Sequence, residues 1–233
     1  MQPKIRLNAL ILKIHFLLAL LFPYFSLQLS PSSAAVNNYQ KVTFKTEDGA
    51  VIEGSFFKAK RTRAVVFAHG AVFSKESWYP LAERLQKKGI ASVAIDFRGY
   101  GNSTPGRSKE LYYDILGAVD YLEKRGFEHI ALVGGSMGGA AILGALGHKV
   151  NPRIDKVIIL APAGGEAIRS HTIKKLFIVA EKDRFYSRVH TLYTASSEPK
   201  ELKVYPGSAH AQHIFKTESG DELTNFIIHF LHD

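Results

Sequence analysis

The stretch that most constrains this chain is a glycine-rich turn between two apolar segments. Residues 130–133 form a short apolar run typical of a buried strand, and residues 140–146 are small and aliphatic, as in a buried helix. Between them lies Gly134-Gly-Ser136-Met-Gly138, which has the G-x-S-x-G spacing in the strand-then-helix context that this motif requires. Such a turn strains the serine and exposes its hydroxyl, while small flanking residues let the two backbones approach. The alternative is a glycine-rich turn that carries a bystander serine.

Strand-like and helix-like segments alternate along the rest of the chain. Two strands joined by Asp48-Gly49 predict an antiparallel hairpin at the start. The later strands are continuously apolar, as in strands buried on both faces, and helical segments separate them. This pattern predicts an α/β fold with a mainly parallel sheet, helices on both faces and an N-terminal antiparallel hairpin. The predicted strands are residues 41–47, 51–58, 63–68, 90–95, 130–133, 156–160, 176–180 and 202–205, and the predicted helices are residues 78–88, 110–125, 140–146, 189–195 and 222–231.

The first 35 residues differ from the rest in composition. Lys4 and Arg6 precede an apolar segment, residues 16–29, and a small, polar stretch follows. This layout predicts a signal peptide over residues 1–35, ahead of one domain over residues 36–233, in a secreted or periplasmic protein. The alternative is an uncleaved N-terminus that associates with the membrane, although its apolar run would be short for a full span.

Composition excludes several kinds of site. The chain has no cysteine, which rules out disulfides, a thiol nucleophile and cysteine-based zinc sites. Its net charge is +9, yet the lysines and arginines are scattered without a basic stripe, so we predict a solvated surface and no nucleic-acid partner. We also predict no cofactor and no metal, and the sequence leaves the oligomeric state open.

Residues able to carry chemistry follow several of the predicted strands. Ligands of a parallel sheet bind outside the carboxyl ends of its strands, so these positions are where a site is expected. Ser136, Asp183 and His210 each come just after a different strand, in that order along the chain, and His69-Gly70-Ala71 follows another.

Together these features resemble the α/β-hydrolases over residues 41–233. The glycine-flanked turn at Ser136, the His69-Gly70 loop, the Asp96–Gly101 segment and the Gly207-x-x-His210 ending carry the resemblance. It implies a serine nucleophile at Ser136, a general base at His210 and an orienting acid at Asp183. Histidine suits the role of base because its ordinary pKa lies near neutrality.

Rivals remain for some of these roles. His213 is a second candidate base, and Glu181 is a second candidate acid. The resemblance implies an oxyanion hole formed by the backbone N–H groups of Met137 and Ala71, with Val72 in place of Ala71 if the loop is shifted by one residue.

Two further residues after strands are predicted to be structural. For His69 we prefer a loop-shaping hydrogen bond to a metal or acid–base role, because no second ligand sits at metal spacing. For Asp96, the resemblance implies a residue that fixes its own loop.

The segment between the strands at 156–160 and 176–180 is too short for a cap domain, since residues 161–173 leave room for a turn or one short helix. The resemblance is therefore to small lidless esterases and dienelactone-hydrolase-like proteins with an open site. Four aromatic residues near strand ends could line an acyl pocket, namely Phe73, Trp78, Phe185 and Tyr186.

The resemblance implies a serine esterase that cleaves a carboxylic ester or thioester of a small-molecule or lipid-like acyl substrate through an acyl-enzyme. An aminopeptidase or a lipase or lysophospholipase using the same triad is the alternative within the enzymes. A non-catalytic binding protein of the same fold is the alternative outside them.

Overall fold

The computed structural model describes residues 38–60, 62–149 and 151–232, and its strands form one eight-stranded sheet. The predicted signal peptide or anchor, residues 1–35, lies outside the described residues. The strands are β1 (Gln40–Lys45), β2 (Val51–Phe57), β3 (Arg63–Ala68), β4 (Ala91–Ile95), β5 (His129–Gly135), β6 (Ile154–Leu160), β7 (Lys174–Ala180) and β8 (Lys200–Tyr205).

Helices surround this sheet in the described part of the chain. A 3-10 helix (Lys75–Trp78) leads into the first α-helix, and a second 3-10 helix (Ala211–Lys216) follows β8. The α-helices are α1 (Tyr79–Lys87), α2 (Tyr112–Glu123), α3 (Met137–His148), α4 (Tyr186–Ala195) and α5 (Gly220–His232).

The strand order along the sheet is β1-β2-β4-β3-β5-β6-β7-β8. β1 pairs antiparallel with β2 and β2 pairs antiparallel with β4, whereas every later pairing is parallel. The inner strands are buried along nearly their whole length, which explains their continuous apolar sequence. The predicted α/β fold with a mainly parallel sheet and an N-terminal antiparallel hairpin is confirmed.

The sheet register brings the functional candidates to one edge. In the centre of the sheet, Gly134 of β5 pairs with Ala68 of β3 on one side and with Ile159 of β6 on the other. Because these parallel strands end level with one another, the residues that follow them are neighbours. His69 and Ser136 therefore emerge close together from adjacent strands.

Some helix boundaries differ from the predicted ones. The helix predicted over residues 78–88 starts as a 3-10 turn and becomes α-helical at Tyr79, with a proline at the start of the α-helix, where its missing N–H costs nothing. Helix α3 begins at Met137 rather than at residue 140, because the glycines after Ser136 are already helical. The 3-10 helix after His210 was not predicted, since six residues carry too little periodicity to reveal it.

The connection between β6 and β7, residues 161–173, contains neither helix nor strand. The structure thus has no cap domain at this point, as the length of the segment predicts. Within residues 38–60, 62–149 and 151–232, no helix combines the length and apolar character needed to cross a membrane.

Candidate active site

Ser136 sits at a sharp turn between β5 and α3. Its backbone adopts φ 51° and ψ −111°. Residues other than glycine rarely adopt this conformation, which costs of order 1–3 kcal/mol. Two glycines make the turn sterically feasible. A Cβ on Gly134 would lie 2.7 Å from the Gly138 carbonyl carbon, and a Cβ on Gly138 would lie 2.8 Å from the His69 carbonyl oxygen. The glycines at both ends of the motif are therefore required by close backbone packing, as its spacing predicts.

Three side chains from separate strand ends form one hydrogen-bonded line. His210 Nε2 lies 2.8 Å from Ser136 Oγ, and His210 Nδ1 lies 2.8 Å from Asp183 Oδ2. An ionised carboxylate only accepts hydrogen bonds, so Nδ1 carries the proton toward Asp183. Nε2 is then free to accept the hydrogen of Ser136, which is the arrangement that a general base requires.

The two ends of this line differ in exposure. Asp183 is buried, and its second oxygen accepts the backbone N–H of Phe185 at 2.8 Å. The His210 side chain is 24% exposed, and the Phe185 ring packs beside the imidazole with the ring centroids 5.2 Å apart. The acid is thus held rigidly, while the imidazole stays accessible to solvent and to a ligand.

The rival residues lie outside this line. Glu181 is exposed, and its backbone N–H donates to the Tyr205 carbonyl at 2.9 Å. His213 is also exposed, and its ring packs against Phe73 with centroids 4.9 Å apart. Among the described residues, Asp183 and His210 are the acid and the imidazole that the structure brings to Ser136.

The loop after β3 holds the Gly70–Ala71 peptide in a fixed orientation. The Gly70 carbonyl accepts hydrogen bonds from His69 Nδ1 at 2.9 Å and from the Phe73 N–H at 3.0 Å. Because a trans peptide is planar, the Ala71 N–H points away from that carbonyl. Met137 opens helix α3, where backbone N–H groups lack partners within the helix.

Tyr100 shows that Ala71 and Met137 are close together. Its hydroxyl donates to the Ala71 carbonyl at 3.1 Å and lies 3.7 Å from Met137 Sδ. The structure thus brings both residues predicted for the oxyanion hole to one place, while Val72, 80% exposed, lies at its rim. Tyr100 was not among the predicted site residues, although it belongs to the segment that follows β4.

His69 supports its loop through hydrogen bonds to the backbone. It is completely buried, its Nδ1 donates to the Gly70 carbonyl, and its Nε2 accepts the backbone N–H of Phe97 at 3.2 Å. Burial lowers the pKa of His69 below its ordinary value, which favours the neutral ring that these two bonds require. The described residues contain no cluster of three or more histidine or carboxylate side chains that could hold a metal ion.

Asp96 is likewise tied into its surroundings. Its carboxylate accepts the backbone N–H of Lys75 at 2.9 Å and forms an ion pair with the Lys75 ammonium. The same ammonium lies 3.0 Å from Glu53 and 3.1 Å from Glu76. Lys75, Glu53 and Asp96 are buried in this ion cluster, whereas Glu76 is exposed. The cluster anchors the segment after β4 and occupies the Asp96 carboxylate, in agreement with the structural role predicted for Asp96.

A groove of about 1140 Å³ starts beside Ala71 and runs between the first 3-10 helix and the segment after β8. Two of the four predicted pocket aromatics, Phe73 and Trp78, line it. Phe185 packs on His210 instead, and Tyr186 is not among the lining residues. The groove is also lined by Leu81, Pro80, Phe215, Tyr100 and Gln212, and its charged lining residues are Glu76, Arg84, Lys216, Glu218 and Asp221.

Comparison with known proteins supports the architecture. A family model described as the alpha/beta hydrolase fold matches residues 63–176. The uncharacterized protein YfhR of Salmonella typhi is 31% identical over 121 residues, which cover 48% of this chain and 41% of YfhR. A Mycoplasma pneumoniae protein with the provisional name esterase/lipase 3 is 33% identical over 150 residues, covering 59% of this chain and 51% of that protein. The chain thus spans about half or less of the length of these relatives.

A solved structure extends this comparison to most of the chain. The esterase EaEST from Exiguobacterium antarcticum superposes with a TM-score of 0.70 at 14% sequence identity, covering 83% of this chain and 100% of the esterase. Identity this low is evidence for the fold alone. The resemblance to the fold that the sequence motifs indicate is confirmed.

Proposed function

We propose that this chain, which has the α/β-hydrolase fold, is a serine hydrolase that cleaves carboxylic esters or thioesters. The observation that carries the proposal is the unbroken hydrogen-bonded line from Asp183 through His210 to Ser136, with both contacts at 2.8 Å. A serine hydroxyl is a weak nucleophile unless a base removes its proton, and this line supplies one.

In the proposed reaction, Ser136 Oγ attacks the ester carbonyl while its proton passes to His210 Nε2. Asp183 stabilises the imidazolium that forms and keeps the ring oriented. When the tetrahedral intermediate collapses, the bond to the leaving group breaks and His210 gives that group its proton. A water molecule then repeats the sequence on the acyl-enzyme: its proton goes to His210, its oxygen joins the carbonyl carbon, and Ser136 regains a proton as the acid is released.

The backbone N–H groups of Ala71 and Met137 are the proposed oxyanion donors. One such donor is worth about 3 kcal/mol in the barrier of related reactions. The fixed Gly70–Ala71 peptide supports this assignment, as does the position of Met137 at the start of α3, where N–H groups lack partners within the helix. Both donors are backbone groups, so they need no particular side chain.

The groove beside Ala71 supports an apolar acyl or alcohol part in the substrate. Phe73, Trp78 and Phe215 give it apolar walls, and it opens to solvent without a cap domain. The name of the Mycoplasma relative also favours ester chemistry. We therefore propose a small-molecule or lipid-like ester substrate.

Labelling with a fluorophosphonate probe tests the nucleophile. The full chain is expected to be labelled and Ser136→Ala to lose all labelling. Ser170→Ala, which alters a loop serine, is the matched control and should label like the parent. Absence of labelling in the folded parent would favour the non-catalytic binding protein.

Hydrolysis of p-nitrophenyl esters of increasing acyl length, with thioesters and amides beside them, tests the substrate class. If the groove binds the acyl chain, kcat/KM should rise about fourfold for each added methylene until the groove is filled, which corresponds to about 0.8 kcal/mol per buried CH₂. Faster turnover of amides would instead favour the aminopeptidase, and turnover of aggregated lipids alone would favour the lipase.

We also propose that the chain is exported through residues 1–35, with retention of this segment as a membrane anchor as the alternative. Mass spectrometry of the protein isolated from its source separates the two, because cleavage leaves Val36 as the first residue.

A further inference from the structure

Gln212 is a buried polar residue that the proposed reaction does not use. It lies two residues after His210 in the 3-10 helix that follows β8, and it is only 3% exposed. Ala211, between them, adopts φ 48°, so a strained residue turns the chain from the imidazole to the glutamine. Burying a side-chain amide is costly unless hydrogen bonds satisfy its oxygen and its nitrogen.

Both ends of the Gln212 amide are hydrogen-bonded. Its Oε1 accepts the backbone N–H of Gly70 at 2.7 Å, and its Nε2 donates to Ser77 Oγ at 2.7 Å. Ser77 Oγ in turn donates to the Ser74 carbonyl at 2.6 Å. Since a backbone N–H can only donate, the atom facing Gly70 must be the amide oxygen, which fixes the orientation of the amide.

Gln212 also packs against the turn that carries the nucleophile. A Cβ added to Gly135 would lie 3.1 Å from Gln212 Cγ and 3.2 Å from its Oε1. One side chain from the segment after β8 therefore touches the loop after β3 and the residue that precedes Ser136. These are the segments that supply the base, one proposed oxyanion donor and the nucleophile.

We infer that Gln212 is a positioning residue that aligns the Ala71 N–H with Ser136. Gly70 is held at both ends: Gln212 binds its N–H, while His69 and Phe73 bind its carbonyl. With both peptide planes of Gly70 fixed, the direction of the next N–H, that of Ala71, is fixed as well. The role of this alignment in catalysis rests on the proposed function.

Gln212→Met tests the inference, because methionine has a similar length but lacks both hydrogen bonds. We expect kcat to fall 10- to 100-fold with KM within about threefold, since misaligning one oxyanion donor is a partial form of removing it, which costs about 10²–10³-fold. The affinity of a boronic acid transition-state analogue should fall in parallel. The pH midpoints of kcat/KM should stay unchanged, because the His210–Asp183 contact is untouched.

Gln212→Glu is the conservative variant, since its carboxyl group keeps an acceptor for Gly70. It should recover most of the activity that Gln212→Met loses. Gln86→Met is the matched control, because the Gln86 amide also makes two hydrogen bonds, to the backbone carbonyls of Asn38 and Lys58, but on an exposed part of α1. It should leave kcat and analogue affinity unchanged.

Hydrogen exchange of the full-length protein gives a readout that needs no activity. In Gln212→Met, peptides covering residues 69–74 should exchange faster while those of α3 keep the parent rate. If Gln212→Met does not fold, Gln212→Glu decides: parent-like exchange and near-parent kcat support the inference, and faster loop exchange with unchanged kcat overturns it.

Parent values of kcat, analogue affinity and loop exchange in folded Gln212→Met would show that Gln212 only fills space. If the parent chain is neither labelled by fluorophosphonate nor active on esters, the proposed function fails. The exchange experiment then still decides whether Gln212 fixes the loop.

Discussion

Two histidines follow strand ends at the same edge of the sheet, and their surroundings give them opposite characters. His69 is fully buried, and both of its nitrogens bind backbone groups, the Gly70 carbonyl and the Phe97 N–H. His210 is about a quarter exposed, and its nitrogens bind two side chains, Asp183 and Ser136. A position after a strand end therefore makes a histidine a candidate site residue, whereas its hydrogen-bond partners determine whether it can exchange a proton.

The difference is electrostatic as well as geometric. His69 has no carboxylate within hydrogen-bonding distance among the described residues, since Asp96 lies 3.9 Å from its ring and is already paired with Lys75. A charged ring would be costly there, so His69 serves as a neutral support. Asp183 gives His210 a partner that stabilises its charged form, which the proton transfers of the proposed reaction require.

The largest effect should come from removing the carboxylate that distinguishes His210. Asp183→Asn keeps the shape of the side chain but can present an N–H to the imidazole and so favour the wrong tautomer. We expect kcat for ester hydrolysis to fall roughly 10³–10⁴-fold with the fold retained. Steady-state kinetics with circular dichroism would check this.

Glu181→Gln is the control for Asp183→Asn, because Glu181 is exposed and lies outside the hydrogen-bonded line. It should keep parent activity. If Glu181→Gln were the more damaging change, the acid would have been assigned to the wrong residue.

A smaller effect is expected from replacing the neutral histidine. His69→Gln can still accept the Phe97 N–H but loses the bond to the Gly70 carbonyl, so we expect a loss of about 1–3 kcal/mol in the free energy of unfolding near pH 8. The lowered pKa of His69 means that its contribution is full above the unfolded value of 6.5 and declines as the pH falls below it.

The stability difference between parent and His69→Gln should therefore shrink from pH 8 to pH 5, as urea unfolding at each pH would show. His171→Gln, which alters an exposed loop histidine, is the matched control and should keep the parent free energy of unfolding at pH 8. A difference that grows toward low pH would mean that His69 is charged in the folded protein, contrary to its assigned role.

The sequence predicted those parts of the site that depend on local spacing or on strand order. Gly134 and Gly138 mark the turn at Ser136 in the sequence, and the order of the strands brings Asp183 and His210 to it. Tyr100 and Gln212 escaped prediction because their contacts span 29 and 142 residues along the chain and follow no spacing rule. Such contacts depend on how the loops pack after the sheet has formed.

The smallest expected effect concerns the strained backbone at Ser136, which lies next to the loops that carry His69 and His210. Ser136 has φ 51°, which glycine adopts freely, whereas alanine bears the same strain as serine. Ser136→Gly should therefore be about 1 kcal/mol more stable than Ser136→Ala, although both variants lack the proposed nucleophile. Urea unfolding of the two variants measures this difference without interference from activity. Equal stabilities would mean that the turn relaxes once the hydroxyl is gone, so that the contact with His210, rather than the glycine packing, maintains the strain.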